Sequence, residues 1–185
     1  TGYYEFNEDV EAFDSSLTKK FADDLSYGKY GLAATTVGDW AVFAGGNAYS
    51  SISGGAGVEA YNSSLTKTTA ESLSNTTVCW PGATTIADHK YPFALFAGGG
   101  IDSSSSTSVS YKVDCYSASL TKFTVADLSH KRKKLAAETI GEYALFAGGE
   151  YIDSDHDTNE LDSVEVYTYY QTKQSDLQLS WGRSQ

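Results

Sequence analysis

The sequence predicts an all-β protein built from repeated four-stranded antiparallel units. Three observations carry this. A phrase of small apolar residues, an aromatic and two glycines occurs three times, as Trp40-Ala41-Val42-Phe43-Ala44-Gly45-Gly46, Tyr91-Pro92-Phe93-Ala94-Leu95-Phe96-Ala97-Gly98-Gly99 and Tyr143-Ala144-Leu145-Phe146-Ala147-Gly148-Gly149. The copies lie about fifty residues apart, a period that marks a repeat architecture. A second phrase, apolar and polar by turns, occurs four times: Val10-Glu11-Ala12-Phe13, Val58-Glu59-Ala60-Tyr61, Val113-Asp114-Cys115-Tyr116 and Val164-Glu165-Val166-Tyr167. The third observation is composition, with 14 Tyr and 17 Gly against 2 Pro and no Met, which suits many short strands joined by tight turns.

Four strands per unit follow in order. Strand A is Leu32-Ala33-Ala34-Thr35-Thr36-Val37-Gly38, recurring as Leu135 to Gly141 and, more loosely, as Gly82 to Asp88. Strand B is the double-glycine phrase, whose glycines are expected to let backbone approach backbone or to take positive φ. Strand C is the Val-acid-x-aromatic phrase. A Ser-Leu-Thr-Lys turn follows it at Ser16, Ser64 and Ser119, degenerating to Tyr170-Gln171-Thr172-Lys173. Strand D is expected to end in Leu-Ser, at Leu25-Ser26, Leu73-Ser74, Leu128-Ser129 and Leu179-Ser180. The small residues of A and B suit the narrow inner part of a radially stacked unit, and the charged side chains of C and D suit its wide rim.

The glycine pairs, the aromatic of strand C and a basic residue before strand A (Lys29, Arg132, Arg183) make the pattern similar to the kelch family of β-propellers. The resemblance spans essentially the whole chain and has the look of a divergent bacterial or phage-like array. Thr77-Val78 replaces the basic residue in one copy. The implied fold is an all-β, kelch-like β-propeller segment of four-stranded antiparallel blades, three complete and one partial. Residues 1–26 form the partial blade (strands C and D), residues 27–74, 75–129 and 130–180 the complete ones, and 181–185 open a further repeat. Three and a half blades leave an open flank with unpaired edges. The expectation is a segment of a longer propeller, or a ring completed by self-association of two copies.

The net charge of −11 argues against nucleic acid or an anionic membrane as partner. No apolar run approaches the roughly twenty residues of a membrane span. Cys79 and Cys115 lack metal-ligand spacing, and Cys115 stands where other copies have Ala12, Ala60 and Val166, as a small buried apolar side chain would. His89, His130 and His156 fall in three different connections and do not repeat. No catalytic constellation stands out, and residues required by enzymes of the kelch family find no obvious counterpart, so no catalytic activity and no cofactor are expected.

Antiparallel alternation puts the A–B and C–D turns at one end and the B–C and D–A connections at the other. The second end carries nearly all the variation, in loops 47–57, 100–111 and 150–163, and variable loops on a constant frame are where binding usually sits. The expectation is a non-catalytic binding or adhesion module, on an extracellular, cell-surface or virion protein, that recognises a glycan or protein surface through this end. The candidate ligand residues are Tyr49, Trp80, Tyr151, Arg132 and Trp181. Arg132, at the kelch basic position, is better suited to tying adjacent blades by bonding loop carbonyls. The alternative is a structural or oligomerising segment with no ligand of its own. Asp153, Asp155 and Asp157 alternate as carboxylates around a Ca²⁺ ion do, although Thr158 and Val164 stand where an EF-hand loop has Gly and Glu, which favours a solvated acidic loop. His130-Lys131-Arg132-Lys133-Lys134 reads as a solvated basic run, Arg132 excepted.

Overall fold

The computed structural model describes residues 7–47, 55–76, 78–86, 91–101 and 109–168, and every regular element in them is a β-strand. Strands β1 (Glu11–Phe13) and β2 (Lys19–Phe21) form an antiparallel hairpin. Strands β3 (Tyr30–Val37), β4 (Trp40–Asn47), β5 (Val58–Tyr61) and β6 (Lys67–Ala70) pair antiparallel in chain order as a four-stranded sheet. The same sheet recurs as β7 (Gly82–Ile86), β8 (Phe93–Ala97), β9 (Val113–Ser117) and β10 (Lys122–Thr124). Its first three strands recur again as β11 (Ala136–Ile140), β12 (Tyr143–Ala147) and β15 (Val164–Thr168). Between β12 and β15 the chain makes a separate hairpin of β13 (Glu150–Ile152) and β14 (Thr158–Glu160). The registers coincide from repeat to repeat, with Ala33 opposite Ala44, Gly82 opposite Ala97 and Ala136 opposite Ala147.

Two details differ from the sequence expectation. The fourth strand begins at the lysine of the Ser-Leu-Thr-Lys turn and ends before Leu-Ser, because Leu73 and Leu128 bend inward to be buried. The loosely matching copy of strand A, around Gly82, is a regular five-residue strand.

The three sheets lie face to face in chain order. Side chains alternate across a pleated strand, so the middle sheet can feed two cores at once. Ala94, Phe96 and Tyr116 pack with Val42, Ala44, Val58 and Ala60 of the first sheet. Leu95, Ala97, Val113 and Cys115, on the opposite face, pack with Ala144, Phe146 and Tyr167 of the third. Strand β8 is accordingly buried along its whole length, whereas β12 buries only alternate residues. In each sheet the strand-B phenylalanine meets the strand-C tyrosine edge-on, at 5.7 Å for Phe43 and Tyr61, 6.1 Å for Phe96 and Tyr116, and 5.6 Å for Phe146 and Tyr167. Both cysteines are buried and lie outside any disulfide, and burial pushes the Cys115 thiol well up.

First strands of neighbouring sheets are joined by threonine hydroxyls. Thr35 meets Thr85 at 2.7 Å, and Thr84 meets Thr139 at 2.6 Å. Thr139 also donates to the Thr85 carbonyl, and Thr85 to that of Thr36. The double glycines, inside β4 near its end and directly after β8, take positive φ, +78° and +89° at Gly45-Gly46 and +68° and +89° at Gly98-Gly99. They also allow close approach: a Cβ on Gly98 would stand 2.5 Å from the Arg132 carbonyl, which accepts the Gly99 N–H at 2.8 Å.

The acid of strand C, a charged residue on an alternating strand, is not left to solvent. Glu59 and Asp114 are buried, and each holds the preceding repeat. Glu59 accepts the Ser26 N–H at 2.8 Å and pairs with Lys29 at 3.0 Å. Asp114 accepts the Ser74 N–H and hydroxyl, and Glu165 accepts those of Ser129. In the first two four-stranded units the lysine closing the Ser-Leu-Thr-Lys turn completes the clasp, with Lys67 3.4 Å from Glu59 and Lys122 3.1 Å from Asp114. Lys122 therefore serves the copy in which Thr77-Val78 replaces the basic residue.

Candidate functional site

At the end where strand A begins and strand B stops, pairing resumes beyond the glycines. Tyr30 lies opposite Asn47, Cys79 opposite Gly100 and Lys133 opposite Glu150. The next residue along is Gly31, Trp80 or Lys134, with φ of +68°, +52° and +57°. That left-handed turn aims each main chain at its neighbour. The Trp80 N–H donates to the Gly31 carbonyl at 2.6 Å, and the Lys134 N–H to the Trp80 carbonyl at 3.0 Å. A relay of main-chain hydrogen bonds thus crosses three repeats and fixes where Trp80 stands.

Around Trp80 the chain gathers aromatic and charged groups from all three repeats. A side chain on Gly31 would meet the indole, since a Cβ there would lie 3.0 Å from its Nε1. The Tyr30 ring is 5.9 Å away, tilted by 59°, and the Asn47 amide donates to the Tyr30 hydroxyl at 3.1 Å. The Lys134 and Lys133 ammonium groups lie 5.3 Å and 5.9 Å from the indole centroid, within cation–π range. The Glu150 carboxylate is 2.9 Å from Lys134 Nζ and 3.5 Å from Lys133 Nζ. Lys133 Nζ also donates to the Ile101 carbonyl at 3.2 Å. The indole face, the two ammonium groups and the Glu150 carboxylate thus stand side by side, an apolar surface flanked by charge.

Trp80 and Tyr151, expected from sequence as ligand residues, are both placed at this end. Tyr151 is the middle residue of β13, partly exposed and opposite Asn159, one residue beyond Glu150. Arg132 is corrected from ligand contact to frame, being 0% exposed. Its guanidinium donates to the Gly148 carbonyl at 3.1 Å, the Ser163 carbonyl at 3.2 Å and hydroxyl at 2.9 Å, and Glu165 at 2.9 Å. Lys133 of the same basic run is also buried rather than solvated. Tyr49 and Trp181 lie outside the described residues. The contributions of Lys133, Lys134, Glu150 and Asn47 escaped the sequence reading; the signal was there in the alignment of Gly31, Trp80 and Lys134 at one repeat position.

The alternating carboxylates form a turn instead of a cation loop. Asp153 Oδ1 accepts the N–H groups of Asp155 and Asp157 at 3.0 and 2.9 Å, and Oδ2 accepts the Asn159 amide at 2.7 Å. These hydrogen bonds, led by that of the Asp157 N–H, hold the Asp153 carboxyl below the usual carboxylate range. Asp14 caps the turn after β1 in the same way, bonding the Ser16 and Thr18 N–H groups at 2.9 Å. Leu17 and His156 occupy the matching left-handed position, at φ of +60° and +70°. Among the described residues no group of three or more His, Cys, Asp or Glu could hold a metal ion.

A second recess of about 260 Å³ lies at the rim, lined by Tyr27, Lys29, Glu59, Thr69 and Ser72 among others. Its Lys29 and Glu59 already satisfy one another. Burial pushes the Glu59 carboxyl up, but the Ser26 hydroxyl and amide, with Lys29, more than offset this and hold it below its ordinary range.

No family model and no curated protein matches the chain. Among solved structures the fold is similar to that of YjhT, with a TM-score of 0.63 at 18% identity over 92% of this chain. The match spans 51% of the YjhT chain, so this chain covers about half the length of that protein.

Proposed function

We propose that the chain is a segment of a kelch-like β-propeller and acts as a non-catalytic binding module. Its ligand is a glycan or a protein surface, taken at the end where the B–C and D–A connections meet. The propeller reading is supported by the face-to-face stacking of four-stranded sheets with their first strands adjacent, and by the double glycines at the kelch positions. The binding reading rests on one observation above all. The third B–C connection folds into the β13–β14 hairpin, rooted through Glu150 in the Lys133, Lys134 and Trp80 cluster, and the three B–C connections differ in sequence. Elaboration at one end of a constant scaffold is what selection for recognition produces, and Tyr30, Trp80 and Tyr151 offer that end rigid aromatic contacts.

A screen of the chain against glycan and protein libraries tests this. Tyr30→Ala and Tyr151→Ala are expected to weaken any ligand found by about tenfold or more, the range of a lost aromatic contact, without lowering the melting temperature appreciably. Absence of ligands at millimolar concentration, or ligands indifferent to both substitutions, overturns the reading. A structural or oligomerising segment is the second reading, favoured by the apolar side chains left exposed on the outer face of the third sheet.

A further inference from the structure

We propose that the outer face of the third sheet docks on the N-terminal hairpin of a second copy of this chain, head to tail. The interface is already drawn twice within the molecule. In each built contact the outgoing face presents the strand-A residue before the turn and the first strand-C valine. Val37 and Val58 are 1% and 2% exposed in the first sheet, and Ile86 and Val113 are 0% and 4% exposed in the second. Their counterparts in the third sheet, Ile140 and Val164, are 69% and 50% exposed, with Tyr143 beside them at 43%. The face keeps its apolar character but has no following sheet among the described residues.

The receiving side is equally specific. Each following sheet offers the aromatic of strand C: Tyr116 enters the core with Val58 and Ala60, and Tyr167 enters the core with Val113 and Cys115. The residue at that position in the N-terminal hairpin is Phe13, which is 58% exposed. On the same face stands Glu11, at the position of the clasping acids Glu59, Asp114 and Glu165, with its exposed carboxylate paired only to Lys19 at 2.6 Å. Among the described residues, one chain thus presents an exposed outgoing face and an exposed receiving face of matching chemistry. Contact between unlike faces of two identical copies is heterologous, and closes when two such contacts complete a ring. The contact rests on the propeller reading. A monomer that still binds ligand through Tyr151 would overturn the contact and leave that reading standing.

Sedimentation velocity from micromolar to millimolar concentration tests it, with Val164→Glu, Ile140→Lys and Phe13→Glu. All three residues are exposed, and circular dichroism checks that the variants keep the wild-type strand content. The wild type is expected to form a dimer that grows no further, and each variant to dimerise at least about tenfold more weakly. An equimolar mixture of the Val164→Glu and Phe13→Glu chains is expected to recover dimers, because one intact contact can form between them. A monomeric wild type, open-ended growth, a dimer insensitive to Phe13→Glu, or no recovery on mixing would each overturn the proposal.

Discussion

Glu59 sits on a strand whose sequence alternates as a half-exposed strand should, yet it is buried. Its burial is tolerated because the Ser26 N–H, Lys29 and Lys67 surround the carboxylate. Glu59→Ala would leave the buried Lys29 ammonium uncompensated and is expected to cost about 3 kcal/mol in denaturant unfolding. The pH dependence has a defined sign. A carboxyl whose folded pKa is depressed contributes stability that is present above its unfolded value, about 4, and is lost as pH falls through the folded value. Thermal melts should therefore fall away on acidification below about 4, and less steeply in Glu59→Gln. The strand-C tyrosines separate by the same logic. The Tyr116 hydroxyl donates to the Glu71 carbonyl at 2.8 Å, whereas the buried Tyr61 hydroxyl has no partner among the described residues, and burial pushes its pKa up to about 12. Tyr116→Phe should cost about 1 kcal/mol, and Tyr61→Phe should be neutral or stabilising.

At the level of the element, the glycines that look alike in sequence do different things. Gly98 has a positive φ and a neighbour's carbonyl in the way of any side chain, while Gly141, in the A–B turn, has a positive φ and open space. Gly141→Ala should cost about 1 kcal/mol for backbone strain alone. Gly98→Ala adds a backbone collision between repeats and should cost at least twice as much by the same unfolding measurement. The strands themselves were legible in the sequence, because period-two alternation in Val-Glu-Ala-Tyr and the recurring Phe-Ala-Gly-Gly repeat the same local instruction. The clasp was not, since burial of Glu59, Asp114 and Lys133 depends on partners some tens of residues away. Nor could spacing decide the role of Asp153-Ser154-Asp155-His156-Asp157. Carboxylates two residues apart suit a cation, but the same geometry lets Asp153 cap two amides of a hairpin turn. Trp80 was recognised by residue type, while its position follows from a main-chain relay through Gly31 and Lys134 that leaves no side-chain signature.

Among the described residues, the middle sheet is covered on both faces and the third on one. The two ends of each sheet are also unlike. One carries short turns at Gly38-Asp39 and Gly141-Glu142. The other carries Trp80, Lys133, Lys134, Glu150 and the β13–β14 hairpin. On the proposed function the second end is the working surface. The most direct test is amide chemical-shift mapping on the isotopically labelled chain during titration with a ligand from the screen. Perturbations should gather at Tyr30, Trp80, Lys134, Glu150 and Tyr151, with Gly38, Asp39, Gly141 and Glu142 unmoved. Shifts centred on those short turns instead would contradict the account.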